Sequence, residues 1–342
     1  MKRRTWLLSA LGTAGALVVG WGVMPARSRL GSTALMLPTQ GDLALNGWIK
    51  IAADGSVILA MPRSEMGQGV YTSLAMLAAE ELDVPLSRVR LEQAGADTIY
   101  GNVAALVASL PFHPLDSEGA DKAIKVQVGE WVVGKIGREL GINVTGGSSS
   151  VADAWEPVRL AAATARTTLV ASAAAQWKVP VVELTVRDGI VSHPSGKSAH
   201  YGELAAGTVG KTPGYVMMKD RKNWTLIGKP APRTDLFAKT NGSAQFGLDV
   251  RLPGMVYAQV RQCPRLGGAP GAIDPKAALA LPGVERLVAL DGFAGGTAGF
   301  AIVGQTTWHA RQGAQAVQVT WQQRAQGALD SQQINNFWHT DK

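Results

Sequence analysis

A single cysteine in 342 residues, Cys263, excludes an intrachain disulfide and any iron–sulfur or zinc site built from cysteines alone. Between Gln262 and Pro264, in a strand-like segment, it reads as a buried or half-buried thiol. Histidine is nearly as scarce, with five residues. His113, between Phe112 and Pro114, has no second His or Cys at ligand spacing, so it reads as structural and no metal-ligand set emerges. His193 and His200 read as exposed and solvated. Charged side chains make up 17% of the chain against 46% hydrophobic, which excludes a disordered protein. The formal net charge of +7 is not concentrated. Beyond Lys219-Asp220-Arg221-Lys222 there is no basic run, and there is no zinc-finger or aromatic–basic RNA-binding motif, so nucleic acid is not an expected partner. Internal repeats and low-complexity tracts are absent as well.

The N-terminus carries a signal. Lys2-Arg3-Arg4 precedes an apolar run from Trp6 to Met24 broken by Gly, Ser and Thr, and Arg27 and Arg29 follow. Paired arginines before such a core predict export by the twin-arginine route to the periplasm, with residues 1–30 as the signal. The segment is also about long enough to span a bilayer, so cleavage and retention as an anchor both stay open. This segment is the only expected membrane contact.

Two glycine loops organise the rest. Strand-like runs at Gly47–Ala52 and Ser56–Met61 lead into Glu65-Met66-Gly67-Gln68-Gly69-Val70, after which Leu74, Leu77, Ala78, Glu81 and Leu82 recur at helical spacing. Strand, glycine loop, helix is an arrangement in which the backbone can approach a ligand and free helix N–H groups favour an anion. Gln68 adds a carboxamide that can donate and accept at once. An exit strand is expected at Val89–Glu92 and a helix over Trp131–Leu140. The second loop, Asn143-Val144-Thr145-Gly146-Gly147-Ser148-Ser149-Ser150, opens a long alanine-rich helix from Val151 to Trp177. Pro157 is tolerated only near a helix start, which puts the N-terminus just after the serines. Asp153 and Glu156 favour the dipole of its first turns.

Further on, Glu183–Arg187, Asp188-Gly189 and Ile190–His193 predict a hairpin with a two-residue turn. Residues 211–233, rich in Pro, Gly and Lys, predict a linker or docking loop. Strands at Gln245–Val250, Met255–Val260, Val284–Leu290, Ala298–Gly304 and Ala316–Gln322, with helices at Pro275–Ala280 and Thr307–Ala316, make residues 234–325 an α+β module. Residues 326–342 read as a polar tail, the expected mark of a truncation.

Three stretches together resemble the molybdenum hydroxylases, the xanthine dehydrogenase/aldehyde oxidase family. Glu65 to Thr72 resembles one cofactor loop, and Thr145 to Val151 with Trp155-Glu156-Pro157 resembles the second. Leu226 to Asp249 with Leu252-Pro253-Gly254-Met255 resembles the start of the a/b hammerhead domain. Their order and the arginine-pair leader resemble the large subunits of the isoquinoline 1-oxidoreductase branch. The resemblance implies an α+β fold in which part of a molybdopterin-binding domain, residues 31–210, comes before a hammerhead-like domain, residues 234–325. It implies a molybdopterin cytosine dinucleotide cofactor. Gly67, Gln68 and Gly69 would face its pterin or metal end, and Gly146, Gly147, Ser148 and Ser149 its pyrophosphate.

The resemblance further implies oxidation of a small N-heteroaromatic or aldehyde substrate with water as the oxygen source. Electrons would leave through a separate iron–sulfur subunit, in keeping with the lone cysteine. Family members are much longer, and their catalytic glutamate lies near the C-terminus and matches no residue here. No catalytic residue is therefore assigned. Glu65 reads as a cap on a helix start, and the chain alone is not expected to turn over without a C-terminal metal domain or a second chain supplying one. The alternative is a non-catalytic cofactor-binding or assembly protein. A nicotinamide dehydrogenase would need a third glycine where Thr72 stands.

Overall fold

The computed structural model describes residues 28–37, 41–117, 122–208, 215–324 and 330–340. The expected export segment lies almost wholly outside them. No helix among the described residues is long and apolar enough to cross a membrane. The fold is α+β, and the chain divides into two compact units, Met1–Ala244 and Gln245–Lys342.

The first unit is built on a four-stranded sheet of β1 (Leu43–Ala44), β2 (Ile49–Ile51), β3 (Val57–Met61) and β4 (Val89–Gln93), in that order. Every residue of β2 and β3 is buried, as expected of strands covered on both faces. β3 and β4 run parallel, so helix α1 (Val70–Leu82) is their crossover and the Gly67-Gln68-Gly69 loop is its entrance. Helix α2 (Val103–Ala108) and helix α3 (Ile124–Leu140) follow. Helix α3 starts seven residues before the expected Trp131, because only Val126 and Gly137 of it are buried and the apolar rhythm of its first turns is faint. Helix α4 (Ser150–Trp177) lies against α1. The contact face is small: Ala161, Ala162, Ala165 and Ala173 are buried in the same core as Leu74, Ala75, Ala78 and Ala79. The expected hairpin forms as β5 (Thr185–Arg187) and β6 (Ile190–Ser192), with Asp188 at φ 54° and Gly189 at φ 76° giving a type I′ turn. β7 (Ser198–His200) completes that sheet.

Residues 217–235 are no free linker. They form a strap bound to the C-terminal half of α1 through two buried acids. The Glu80 carboxylate accepts the consecutive backbone N–H groups of Thr225 (2.9 Å), Leu226 (2.6 Å) and Ile227 (3.0 Å). Burial alone would raise this carboxyl, but those three donors and Lys219 hold it below the ordinary carboxylate value. Glu81 accepts the Lys219 N–H at 3.0 Å and Arg159 Nε at 2.8 Å, and the Arg159 guanidinium lies over both Trp155 and Trp224. At its far end the Thr234 N–H donates to Thr72 Oγ1 at 3.0 Å. The first unit therefore runs to Ala244, and the second starts at Gln245 where Thr234 was expected.

The second unit pairs β8 (Tyr257–Gln262), β10 (Val284–Leu290) and β11 (Gly299–Gly304) in the order β10-β11-β8, all antiparallel. β9 (Ala269–Asp274) pairs with β12 (Gln318–Gln322). Helix α5 (Thr307–Ala316) covers β11 over a core of Ala278, Phe300, Ile302, Ala314 and Val317. Cys263 is buried and unpaired. Three expectations fail here. Gln245–Val250 forms no strand, only a 3₁₀ turn at Gly247–Asp249; β9 went unseen because Pro270 and Gly271 interrupt it; and Ser331–Thr340 is a helix.

Candidate functional site

The Gln68 loop is closed by its own acid. Glu65 Oε1 accepts the N–H groups of Gly67 (2.8 Å) and Gly69 (3.0 Å), and Oε2 that of Tyr71 (3.1 Å). Burial pushes the Glu65 carboxyl up, but these donors and the Arg233 charge outweigh it and hold the group below the ordinary carboxylate value. Glu65 is thus the helix cap that its position suggested. The amides expected to offer α1's positive end to a ligand are already used. Gln68 is fixed by the same loop: Oε1 accepts the Met66 N–H at 2.6 Å, and Nε2 donates to the Ser64 carbonyl at 2.9 Å. One N–H and one lone pair of its carboxamide remain.

The second loop is the reverse case. No side chain caps α4, whose first amides have no intrahelical acceptor. The amides of Gly147, Ser148, Ser150 and Val151 make no hydrogen bond among the described residues. Ser148 is held at φ 55°, a left-handed conformation uncommon for serine. Gly146 is the most informative position. Its φ does not lie in the left-handed region, and a Cβ built on it would meet no atom within 4 Å. Neither backbone conformation nor packing calls for glycine there.

Beneath this loop lies a buried polar keel. Arg63, directly after β3, donates to Asn143 Oδ1 (2.8 Å), the Tyr100 carbonyl (2.8 Å) and Asp153 Oδ2 (2.7 Å). Asp153 also accepts Arg29 Nη2 at 2.8 Å and the Val103 N–H at 2.8 Å. Pro157 cannot donate to the Asp153 carbonyl, and Arg29 Nη1 supplies that bond at 3.2 Å. Asn102 holds the Val144 carbonyl (2.9 Å) and Ser149 Oγ (2.8 Å). The two loops meet where the Ser64 N–H donates to Thr145 Oγ1 at 2.9 Å. Two buried arginines share one buried carboxylate, leaving positive charge under the open amides.

Both loops wall a single cleft of about 390 Å³, lined by Met66, Gln68, Val70, Ser73, Thr145, Gly146, Gly147, Ser148, Ser150 and Val151. Residues 8–109, which include the Gln68 loop, match the family model of a molybdopterin cofactor-binding domain. The chain is 32% identical to the beta subunit of isoquinoline 1-oxidoreductase from Brevundimonas diminuta, across 94% of this chain and 40% of that protein. The chain belongs to the molybdenum hydroxylase family. Within it, a nicotinate dehydrogenase subunit of Pseudomonas putida is 26% identical across 83% of this chain and 21% of its own length. A membrane-bound aldehyde dehydrogenase of Gluconacetobacter polyoxogenes is 26% identical across 85% and 33%. The chain therefore spans well under half the length of these relatives.

The family's molybdenum cofactor fits the residues present, because the open amides, the surplus buried positive charge and the bare Gly146 together suit a phosphate-bearing group. Of the residues expected at the site, Gln68, Gly146, Gly147 and Ser148 line the cleft together. Gly67 and Gly69, at φ 103° and 85°, shape the first loop without lining it. Ser149 is buried beneath the second loop: its hydroxyl donates to the Gly146 carbonyl at 2.7 Å and its N–H bonds the same oxygen. It supports the cradle and presents no free polar atom to it. Sequence reasoning missed Arg63, Asn102, Thr145 and Arg233. The one available signal was an arginine placed immediately after a fully apolar strand.

Proposed function

We propose that this chain is the cofactor-holding portion of an exported molybdenum hydroxylase acting on an N-heteroaromatic or aldehyde substrate. The cofactor is the cytosine dinucleotide form, and an iron–sulfur subunit takes the electrons. The observation that carries the reading is one cleft walled by both loops, with unspent amides on one wall and a fixed carboxamide on the other. When bound, the cofactor supplies the oxidation, placing oxygen from water on the substrate carbon and taking up two electrons.

The chain's own residues do the rest. The amides of Gly147, Ser148, Ser150 and Val151 hold the anionic pyrophosphate, and Gly146 leaves room for it. Gln68 offers one donor and one acceptor to a polar, uncharged edge, held ready by Ser64 and Met66. Met66, Val70 and Val151 form the apolar part of the wall and exclude water. The unit from Gln245 is the hammerhead-like domain, and residues 1–30 direct twin-arginine export to the periplasm. No lining residue of the cleft is an acid or a histidine, so the proton acceptor must come from polypeptide beyond this chain. The same fact favours, as second reading, a holder of the cofactor that does no chemistry.

Assembly with a polypeptide equivalent to the rest of the relatives tests both. Equimolar molybdenum and acid-released cytidine nucleotide in the purified complex are expected, with substrate-dependent dye reduction. Metal and nucleotide without turnover would select the second reading; neither metal nor nucleotide would contradict both.

A further inference from the structure

The block Gly228–Asp235 reads in sequence as the start of the second domain, yet the structure places its Arg233 on the first cofactor loop. Arg233 Nη1 donates to the Gly67 carbonyl at 2.8 Å, and Nη2 lies 3.2 Å from Glu65 Oε1. Asp235 orients the guanidinium from behind, accepting Nε at 3.1 Å and Nη2 at 3.1 Å, and is itself paired with Lys239. The strap carrying Arg233 is fixed to α1 twice, by Glu80 at Thr225–Ile227 and by Thr72 at Thr234. Arg233 is therefore held from its own side and reaches across 166 residues of sequence to a loop whose other bonds are all internal.

We propose that Arg233 is a positioning residue for the cofactor loop. It locks the Gly67 carbonyl and the Glu65 carboxylate in one fork, and so fixes the plane from which Gln68 is presented. Three properties of a guanidinium are needed. Its fork spans a carbonyl and a carboxylate simultaneously, it stays charged at any working pH, and its third edge takes Asp235. Glu65 alone caps α1, but a carboxylate accepting three amides can rock about that axis. The Gly67 carbonyl, exposed and with φ 103° at its residue, has no other bond among the described residues to hold it. The strap thus braces the cofactor loop, and the Arg233-Thr234-Asp235 stretch serves the first unit. This inference rests on the cofactor reading for its purpose, but its geometry does not.

The test uses the full chain carrying Arg233→Ala or Arg233→Lys. In the chain without cofactor, amide exchange at Gly67, Gly69 and Tyr71 should accelerate at least tenfold in both variants, while the Glu80-bound amides of Thr225–Ile227 and the thermal midpoint stay put. Lysine keeps the charge but cannot form the fork, so its failure to rescue separates positioning from simple ion pairing. In the assembled complex, Arg233→Ala should lower retained molybdenum severalfold on dilution. Unchanged loop exchange would overturn the proposal, as would full rescue by lysine, or acceleration spread evenly over strap and loop. If the unmutated complex holds no molybdenum, the cofactor reading fails, and the exchange comparison still decides whether Arg233 positions the loop.

Discussion

Two loops of similar composition enter two helices of the same unit, and they use their amides in opposite ways. At the first, Glu65 takes the N–H groups of Gly67, Gly69 and Tyr71, and Arg233 balances its charge. At the second, α4 begins uncapped above two buried arginines that share one carboxylate. The first entrance is neutralised from within; the second remains electropositive. Glycine content therefore says little about which loop binds an anion. What decides is whether a nearby acid has already taken the amides.

The comparison can be broken at its supports. The largest effect is expected from Asp153→Asn, which leaves Arg29 and Arg63 buried with no counter-charge and should cost about 3–5 kcal/mol in denaturant unfolding. A smaller loss would mean that the keel is not what holds the second loop. Glu65→Gln should cost about 1–3 kcal/mol, since a carboxamide oxygen cannot serve three donors. It should also alter the acid limb. A carboxyl held low in the folded state contributes stability that is present above its unfolded value and is lost as pH falls through the folded value. The protein should thus lose stability below about pH 5, and less steeply in Glu65→Gln. Denaturant unfolding across pH 3–7, an interval that brackets the ordinary carboxylate value of about 4.3, measures both.

Two further substitutions sharpen the contrast. Gly146→Val should lower retained cofactor at least tenfold, about 1.4 kcal/mol of binding, while unfolding stability changes by no more than about 0.5 kcal/mol. At Gly67, with φ 103°, valine should instead cost fold stability directly. The smallest expected effect is Ser149→Ala, about 1 kcal/mol of stability from the lost buried hydroxyl bonds, with Ser148→Ala affecting retention and not stability.

Local signals carried the architecture. The apolar run before Glu65, the recurrence of Leu74, Leu77, Ala78 and Leu82, and the serines before Pro157 place β3, α1 and α4 to within a few residues. Asp188-Gly189 gave the turn outright. The loops themselves were legible as glycine-rich entrances, and so was Glu65 as a cap. Their electrostatic difference was not, because it depends on partners far away in sequence: Arg63 with Asp153, Asn102 with Ser149, Arg233 with Gly67. The strap failed for the same reason. Prolines, glycines and lysines look like a linker until two acids on α1, themselves inconspicuous in an Ala-Ala-Glu-Glu-Leu helix, turn out to be buried and to take its amides. Buried carboxylates bonded to backbone leave no periodic trace.

Amide hydrogen exchange on the assembled complex, with and without bound molybdenum cofactor, tests the division between the loops most directly. Loading should slow exchange at Gly147, Ser148, Ser150 and Val151 and leave Gly67, Gly69 and Tyr71, already bonded to Glu65, unchanged. Protection confined to the first loop, or equal at both, would contradict the account.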